Sequence, residues 1–269
     1  MLALVVALPL AGCGEGRGSE QKVLVTGSTT IMPIAEVAAE MYAEQSPGVA
    51  VLVSGMGSSA GIESVSNGSS DIGTSSRELK DEELDLGLVD TPVAYDAIAV
   101  IVNHDNPVKS LSTLEIRAIF SGVITNWNEL GGPDLDIGLV NRDEASGTRE
   151  AFKKIVMGDA EFDRGAVILP GTGQVRAVVA DVPGAIGYIS LGFVNEDVHA
   201  VTIDNVEPSE ATVVSGAYPV QRVLHFFTQG EPSSAAASYI DFVLSSSVQD
   251  TIVRDAGFIP ITAKEVSGG

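Results

Sequence analysis

The stretch that decides the fold is Lys22 to Gln45, KVLVTGSTTIMPIAEVAAEMYAEQ. It begins with an apolar run that ends at a glycine, which is typical of a short buried strand. Gly27 to Thr30 form a small polar loop, and from Ile31 the apolar residues recur at helical spacing. The stretch therefore predicts a strand, a loop and a helix in succession.

The same unit recurs downstream. Val49 to Val53 predicts a second strand, which runs into the Gly/Ser-rich Ser54 to Gly61 and a helix from about Ile62 to Ser66. A third short strand ends within Asp71 to Arg77, and an acidic helix from about Lys80 to Leu88 follows it. Alternating strands and helices predict an α/β fold with mainly parallel sheets.

A second module is predicted to begin after Thr91, because Ala97 to Val102 is a long apolar run and Leu111 to Phe120 has helical periodicity. The later elements are predicted at Ile137 to Val140, Gln174 to Ala180 and Gly184 to Tyr188, with a helix from Arg149 to Met157, a strand from Val220 to Phe227 and a closing helix from Ala235 to Asp255.

Composition excludes several classes of function. The 269 residues contain one cysteine, Cys13, so neither an internal disulfide nor a multi-cysteine metal site is possible. Fifteen basic and 36 acidic residues give a net charge of −21, which argues against a nucleic-acid ligand because a phosphate backbone needs a basic surface. Any small anion would have to be recognised by local donors rather than by the field of the whole chain.

The first twenty residues predict an export signal and a linker. The apolar run Leu2 to Leu10 is shorter than the roughly 20 residues that a membrane span needs. The string Leu-Ala-Gly-Cys that ends at Cys13 resembles a lipobox and predicts lipidation of that cysteine. No Lys or Arg precedes the apolar run, so we expect the natural start to lie upstream. The alternative is a buried N-terminal strand with an incidental cysteine.

Three loops share one design, since each follows a predicted strand, is rich in Gly, Ser and Thr, and opens a helix. They are Gly27 to Thr30, Gly57 to Gly61 and Ser146 to Thr148. The free N–H groups and the dipole of a first helical turn favour an anion, and hydroxyl groups add donors. The alternative for any one loop is that its Ser and Thr side chains cap their own helix.

The third loop follows two charged residues, Arg142 and Glu144. Arginine offers a planar fork of donors that matches a tetrahedral oxyanion. A carboxylate can accept the proton that phosphate retains near neutral pH, whereas it would repel fully deprotonated sulfate. The alternative is a surface salt bridge between the two residues, which would contribute about 1 kcal/mol or less.

Two short motifs suggest other chemistry. Gly57 to Gly61 matches the G-x-S-x-G elbow of serine hydrolases, with Ser59 as the nucleophile. Gly55 to Ala60 matches a dinucleotide fingerprint, but no clear acidic residue follows at the expected distance of about 20 residues. Both patterns are common in Gly/Ser loops. The histidines that could complete a triad are His104, His199 and His225.

Six strings appear in a specific order: GSTT at 27–30, GSSAG at 57–61, DIGTSSR at 71–77, ITNW at 124–127, the run 142–149, and PGAIGY at 183–188. In this order they resemble the phosphate-binding subunit of phosphate ABC transporters, of the shorter bacterial and archaeal type. The resemblance implies a two-lobed periplasmic-binding-protein fold of type II, with each lobe a mainly parallel sheet flanked by helices and the ligand in the interlobe cleft. It divides the chain into a signal and linker segment at 1–20, one lobe at 21–97 plus 203–265, and another at 98–202.

The resemblance also implies the function and its residues. We expect a monomeric, extracytoplasmic phosphate receptor, held at the membrane by a lipid on Cys13, that delivers phosphate to permease and ATPase subunits. It would have no catalysis, cofactor, metal or nucleic-acid partner. The alternatives are a receptor for sulfate or molybdate and a secreted hydrolase using Ser59. Longer relatives have aspartate at the position of Ser76, which leaves Glu144 as the main proton acceptor. The residues predicted to bind phosphate are Ser28, Thr29, Thr30, Ser58, Ser76, Arg142, Glu144, Ser146, Gly147 and Thr148.

Overall fold

The computed structural model describes residues 21–262. The predicted signal segment and the lipidation of Cys13 lie outside these residues. Among the described residues, no helix combines the length and the apolar character that crossing a membrane requires.

Twelve strands form in the described part of the chain, and most of the predicted strands are confirmed. The bounds are β1 Gln21–Gly27, β2 Val49–Gly55, β3 Ile72–Ser75, β4 Leu88–Asn103, β5 Ser110–Leu111, β6 Gly138–Arg142, β7 Val167–Leu169, β8 Ala185–Ser190, β9 Val198–Ala200, β10 Thr202–Ile203, β11 Gln221–Gln229 and β12 Ile259–Pro260.

The helices confirm the predicted strand and helix alternation. Their bounds are α1 Met32–Gln45, α2 Ser58–Ser66, α3 Thr113–Phe120, α4 Gly147–Phe152, α5 Thr172–Asp181, α6 Glu210–Val214, α7 Ser234–Leu244 and α8 Ser246–Val248. Three 3-10 turns (Asp81–Leu86, Trp127–Leu130, Leu191–Phe193) and two π-helical turns (Lys153–Met157, Gln249–Val253) complete the regular structure of residues 21–262.

Two predicted helices differ in detail. The acidic segment after Arg77 forms a 3-10 turn, and Gly87 ends it in the left-handed region at φ +70°. The single closing helix predicted from Ala235 to Asp255 is wrong, because Ser245 adopts an extended conformation between α7 and α8. The Ser245 carbonyl then accepts hydrogen bonds from the N–H groups of Val248 and Gln249, which restarts the helix.

A continuous mixed sheet runs through the molecule in the order β2-β1-β3-β11-β4-β8-β6-β7, with β9 and β12 also paired to β4. The outer strands are parallel, whereas β4 pairs antiparallel with β11 on one side and with β8 on the other. The α/β fold class is confirmed. The antiparallel centre was not expected from the alternation of strands and helices.

Strand β4 joins the two halves of this sheet. Residues 88–97 pair with β11, and residues 98–102 pair with β8. The sequence predicted only the second part of this strand, from Ala97. The first part was missed because its Asp, Thr and Pro residues interrupt the apolar pattern. Its strand conformation is stabilised instead by pairing with β11, which is distant in the sequence.

Each half of the sheet carries its own core. In the first lobe, α1 and α7 pack on the sheet through residues such as Ile34, Phe226 and Tyr239. In the second lobe, Trp127 is buried and Phe152 stacks on Tyr188 with ring centroids 4.1 Å apart. Residues 213–220 contribute Val213, Tyr218 and Val220 to this second core. The exact division of the chain between the lobes stays a prediction.

Candidate anion-binding site

The first loop is held tightly against β3. Gly27 has φ +144°, and a Cβ there would lie 2.1 Å from the carbonyl oxygen of Thr74, so only glycine fits. The Ser28 hydroxyl accepts hydrogen bonds from the N–H groups of Thr30 at 3.1 Å and Ile31 at 3.4 Å. The Ser28 hydroxyl therefore bonds the backbone of its own loop, whereas the hydroxyls of Thr29 and Thr30 contact those of Thr172 and Thr148.

The second loop places two serine hydroxyls together. Gly57 has φ +96°, and α2 begins directly after it at Ser58, four residues before the predicted start. The Ser58 hydroxyl accepts the backbone N–H of Ser76 at 3.0 Å and lies 3.2 Å from the Ser76 hydroxyl. Both side chains are buried.

The third loop contacts both of the others. The Ser146 hydroxyl caps α4 by accepting the N–H of Arg149 at 3.2 Å. A Cβ on Gly147 would lie only 2.3 Å from the Ser58 hydroxyl oxygen, so the loop backbone approaches α2 closely. The hydroxyl oxygen of Thr148 lies 3.2 Å from that of Thr30. Residues from all three predicted loops therefore meet between the lobes.

Arg142 lies at the end of β6, and its guanidinium is buried. It donates hydrogen bonds to the carbonyls of Leu169 and Pro170, to the Thr172 hydroxyl at 3.1 Å and to the Thr29 hydroxyl at 3.3 Å. Burial lowers the pKa of Arg142, although an arginine stays charged in a protein. No ion pair neutralises it among residues 21–262. A buried and unneutralised cation at this position suits an anionic ligand.

A second guanidinium, that of Arg222 on β11, was not predicted from the sequence. It forms a buried ion pair with Asp96, with nitrogen to oxygen distances of 2.9 and 2.7 Å. Its Nη1 also donates to the Thr148 hydroxyl at 2.9 Å and to the Ser76 carbonyl at 3.0 Å. Burial raises the pKa of Asp96, and the Arg222 guanidinium opposes that rise. A cation inside the apolar run Val220 to Phe227 was the signal that could have revealed it.

Known proteins resemble this chain along most of its length. Residues 14–247 match the model of the PBP superfamily domain. The phosphate-binding protein PstS of Bacillus subtilis is 38% identical over 257 residues, which covers 94% of this chain and 85% of that protein. The chain belongs to the PstS family. Borreliella burgdorferi PstS is 29% identical and covers 92% of both chains.

Solved structures show the same fold for members of this family. A putative phosphate ABC transporter substrate-binding protein from Clostridium perfringens, solved with bound phosphate, superposes with a TM-score of 0.87 at 40% identity and covers 90% of this chain and 100% of that chain. An ABC-type phosphate transport receptor from Vibrio cholerae superposes with a TM-score of 0.75 at 30% identity, covering 88% and 99%.

Glu144 makes no hydrogen bond or ion pair to the cluster among residues 21–262. Its side chain is exposed, whereas Ser146, Gly147 and Thr148 just after it are buried. The surface salt bridge to Arg142 that the sequence left open as an alternative does not form, since Arg142 is buried and donates elsewhere. The role of Glu144 as a proton acceptor stays a prediction.

The hydrolase constellation does not assemble around Ser59. The Ser59 hydroxyl accepts a hydrogen bond from Arg77 at 3.3 Å, and its N–H donates to the Ala145 carbonyl. His225 contacts Asp90 and Glu78 instead of Ser59. Among the described residues, no histidine hydrogen-bonds to the Ser59 side chain.

Arg77, whose place the sequence left undecided, is buried beside the cluster. It forms two hydrogen bonds to the Glu83 carboxylate, at 2.6 and 2.8 Å. Burial raises the pKa of Glu83, but the hydrogen bond from Arg77 and that from the Lys80 N–H outweigh it and hold the pKa below its ordinary value. The Arg77 charge is therefore neutralised by Glu83, unlike that of Arg142.

Proposed function

We propose that this protein is an exported receptor that binds inorganic phosphate between its two lobes and delivers it to the permease and ATPase subunits of an ABC importer. The observation that carries the proposal is the unneutralised Arg142 guanidinium, buried among hydroxyls from both lobes. The names of its relatives support phosphate as the ligand.

The proposed ligands are the predicted set together with Arg222. The hydroxyls of Thr29, Thr30, Ser58, Ser76 and Thr148 can each donate to a phosphate oxygen. Each hydrogen bond to a charged group contributes about 1.5 to 3 kcal/mol. A few such bonds supply more than the ~8 kcal/mol that micromolar affinity needs, and desolvation and closure offset the surplus.

Closure of the lobes is the proposed mechanical event. The contacts between Thr30 and Thr148 and between Thr29 and Arg142 link loops assigned to different lobes, which supports a closed arrangement. Lys80 also reaches Glu150 across the cleft at 3.3 Å. An open form would admit phosphate to one lobe, and closure would bury it and present a distinct shape to the transporter. Binding requires no covalent step, so we propose no catalytic activity.

The proposed cellular setting follows from the N-terminal sequence. Export by the apolar segment and a lipid on Cys13 would hold the protein in the periplasm or at the outer face of the cytoplasmic membrane. A single acyl chain gives only marginal retention, so a second chain or the transporter itself would strengthen it. Metabolic labelling with a radioactive fatty acid tests this anchor, because a Cys13→Ser variant should carry no label.

Calorimetric titration of the full chain with phosphate and then with sulfate tests the function. Tight one-to-one binding of phosphate, with little heat from sulfate, is the expected result. Tighter binding of sulfate or molybdate would instead identify another oxyanion receptor. Hydrolysis of a p-nitrophenyl ester that disappears in Ser59→Ala would contradict the assignment as a pure binding protein.

A further inference from the structure

A second cluster of ionisable side chains surrounds His225 in the middle of β11, and none of its members is a proposed phosphate ligand. His225 is only 2% exposed and follows a register shift in the pairing of β11 with β4. Its Nδ1 lies 2.8 Å from Asp90 Oδ1, and its Nε2 lies 3.4 Å from Glu78 Oε1. The Nε2 atom is buried and has no hydrogen-bond partner among the described residues.

The arrangement is unusual for a neutral imidazole. If Nδ1 donates its proton to Asp90, the buried Nε2 of a neutral imidazole presents a lone pair toward the largely exposed Glu78 carboxylate. Two acceptors that face each other favour a cation between them, which is either a proton on Nε2 or a metal ion. Metal-bound histidines characteristically donate their second ring N–H to a carboxylate, as Nδ1 of His225 does here.

The distances also fit a metal ion. Zinc binds histidine nitrogen and carboxylate oxygen at about 2.0 to 2.2 Å in tetrahedral geometry, which separates two ligand atoms by about 3.4 Å. The observed separation of Nε2 and Oε1 is 3.4 Å, and the contact is not a hydrogen bond. An ion on the axis of the nitrogen lone pair would place the carboxylate oxygen off that axis, and this is compatible with a 3.4 Å contact that is not a hydrogen bond.

We propose that His225 Nε2 and the Glu78 carboxylate bind a divalent transition-metal ion of the zinc class, with Asp90 orienting the imidazole. Ligand atoms of the three residues lie within 4.8 Å of one another. Glu78 is 61% exposed and Asp90 41% exposed, so water can fill the remaining coordination positions. One nitrogen and one carboxylate ligand favour zinc, cobalt or nickel over magnesium and calcium.

A bound ion would connect two parts of the first lobe. Glu78 follows Arg77, which packs against the second loop, and His225 lies three residues after Arg222 on β11. The metal would therefore link Glu78, just before the 3-10 turn, to β11 beside the proposed phosphate-binding residues. The inference does not depend on the identity of the anion, because none of its ligands is a proposed phosphate ligand.

Cobalt absorption spectroscopy and zinc calorimetry on the full, chelator-treated chain in phosphate-free buffer test the site. We expect one equivalent of Co²⁺ with visible d–d bands, displaced by Zn²⁺. Glu78→Gln should weaken the affinity at least tenfold. The matched control is Glu82→Gln, an exposed carboxylate on the same segment that lies outside the cluster, and it should bind as the parent chain does.

Two further variants make the test decisive. His225→Gln should abolish the cobalt absorption bands. Thermal unfolding of each variant shows whether a loss of cobalt binding reflects the site or the fold. Glu78→Gln is the variant least expected to unfold the chain, because Glu78 is largely exposed. His199 is the other histidine that could bind the cobalt ion, because its Nε2 is also buried without a hydrogen-bond partner in the described chain. Loss of cobalt binding in His199→Gln, unchanged affinity in Glu78→Gln, or no binding by the parent chain would each overturn the proposal.

Discussion

The hydroxyl oxygens of Thr30 and Thr148 lie 3.2 Å apart, although 118 positions separate the two residues in the chain. Nη1 of Arg222 donates to Thr148 at 2.9 Å, and Nη2 lies 3.5 Å from the Thr30 hydroxyl. Two hydroxyls from different lobes therefore meet beside one guanidinium. If these hydroxyls bind the anion as proposed, closure of the lobes and anion binding depend on the same atoms.

Arg142→Ala should lower phosphate affinity about 100-fold or more, because at least two hydrogen bonds from a charged donor are lost, at about 1.5 kcal/mol or more each. Calorimetric titration with phosphate measures the change. Arg254→Ala is the matched control, since Arg254 forms only an exposed ion pair with Glu210. Normal binding by Arg142→Ala would remove this residue from the site.

Gly147→Ala should weaken phosphate binding at least tenfold while the chain stays folded. The added Cβ would lie 2.3 Å from the Ser58 hydroxyl oxygen and 2.8 Å from that of Ser76, so it should hold the lobes apart. Gly173→Ala is the control, because a Cβ there meets no atom within 4 Å. Equal affinities for the two variants would show that the close approach of α4 to α2 is not needed for binding.

Arg222→Met should destabilise the protein by about 3 to 5 kcal/mol, because it leaves the buried Asp96 carboxylate without its partner. Urea unfolding measures the loss. Adding Asp96→Asn to this variant removes the stranded charge, so the double variant should recover part of the stability. A single variant as stable as the parent chain would contradict a charged, buried pair.

Glu144→Gln should reduce the preference for phosphate over sulfate about tenfold, if the carboxylate accepts the phosphate proton as proposed. Glu144 is exposed in the closed structure, so this role requires the loop before Ser146 to turn its side chain toward the ligand. Competition titrations with both anions measure the ratio. An unchanged ratio would end the proton-acceptor hypothesis.

Acid should remove the stabilisation that Glu83 contributes through Arg77. The pKa of Glu83 in the folded state is held below the ordinary value of a glutamate, so its ionised form favours folding. The contribution is present above that ordinary pKa and is lost as the pH falls through the lower pKa of the folded state. Urea midpoints across this range should fall more steeply for the parent chain than for Glu83→Gln. Parallel pH profiles would show that the pair does not contribute.

Local patterns were enough to predict the strand and helix units and the loops that open α1, α2 and α4. Apolar periodicity and glycine positions are properties of neighbouring residues, and they predicted the loops; residue type singled out Arg142, and the family resemblance implied Thr30, Ser58 and Thr148 as site residues. The structure places these four side chains in the buried cleft, and their contact with phosphate stays a proposal.

The sequence by itself determined the α/β class, the Gly/Ser/Thr loops and the choice of Arg142, because each depends on residue types within a few positions of one another. Only the tertiary structure decided the antiparallel centre of the sheet, the pairing of Arg222 with Asp96 across 126 residues, and the outward position of Glu144. Burial of a charge depends on which distant segments surround it, and no local pattern records those segments.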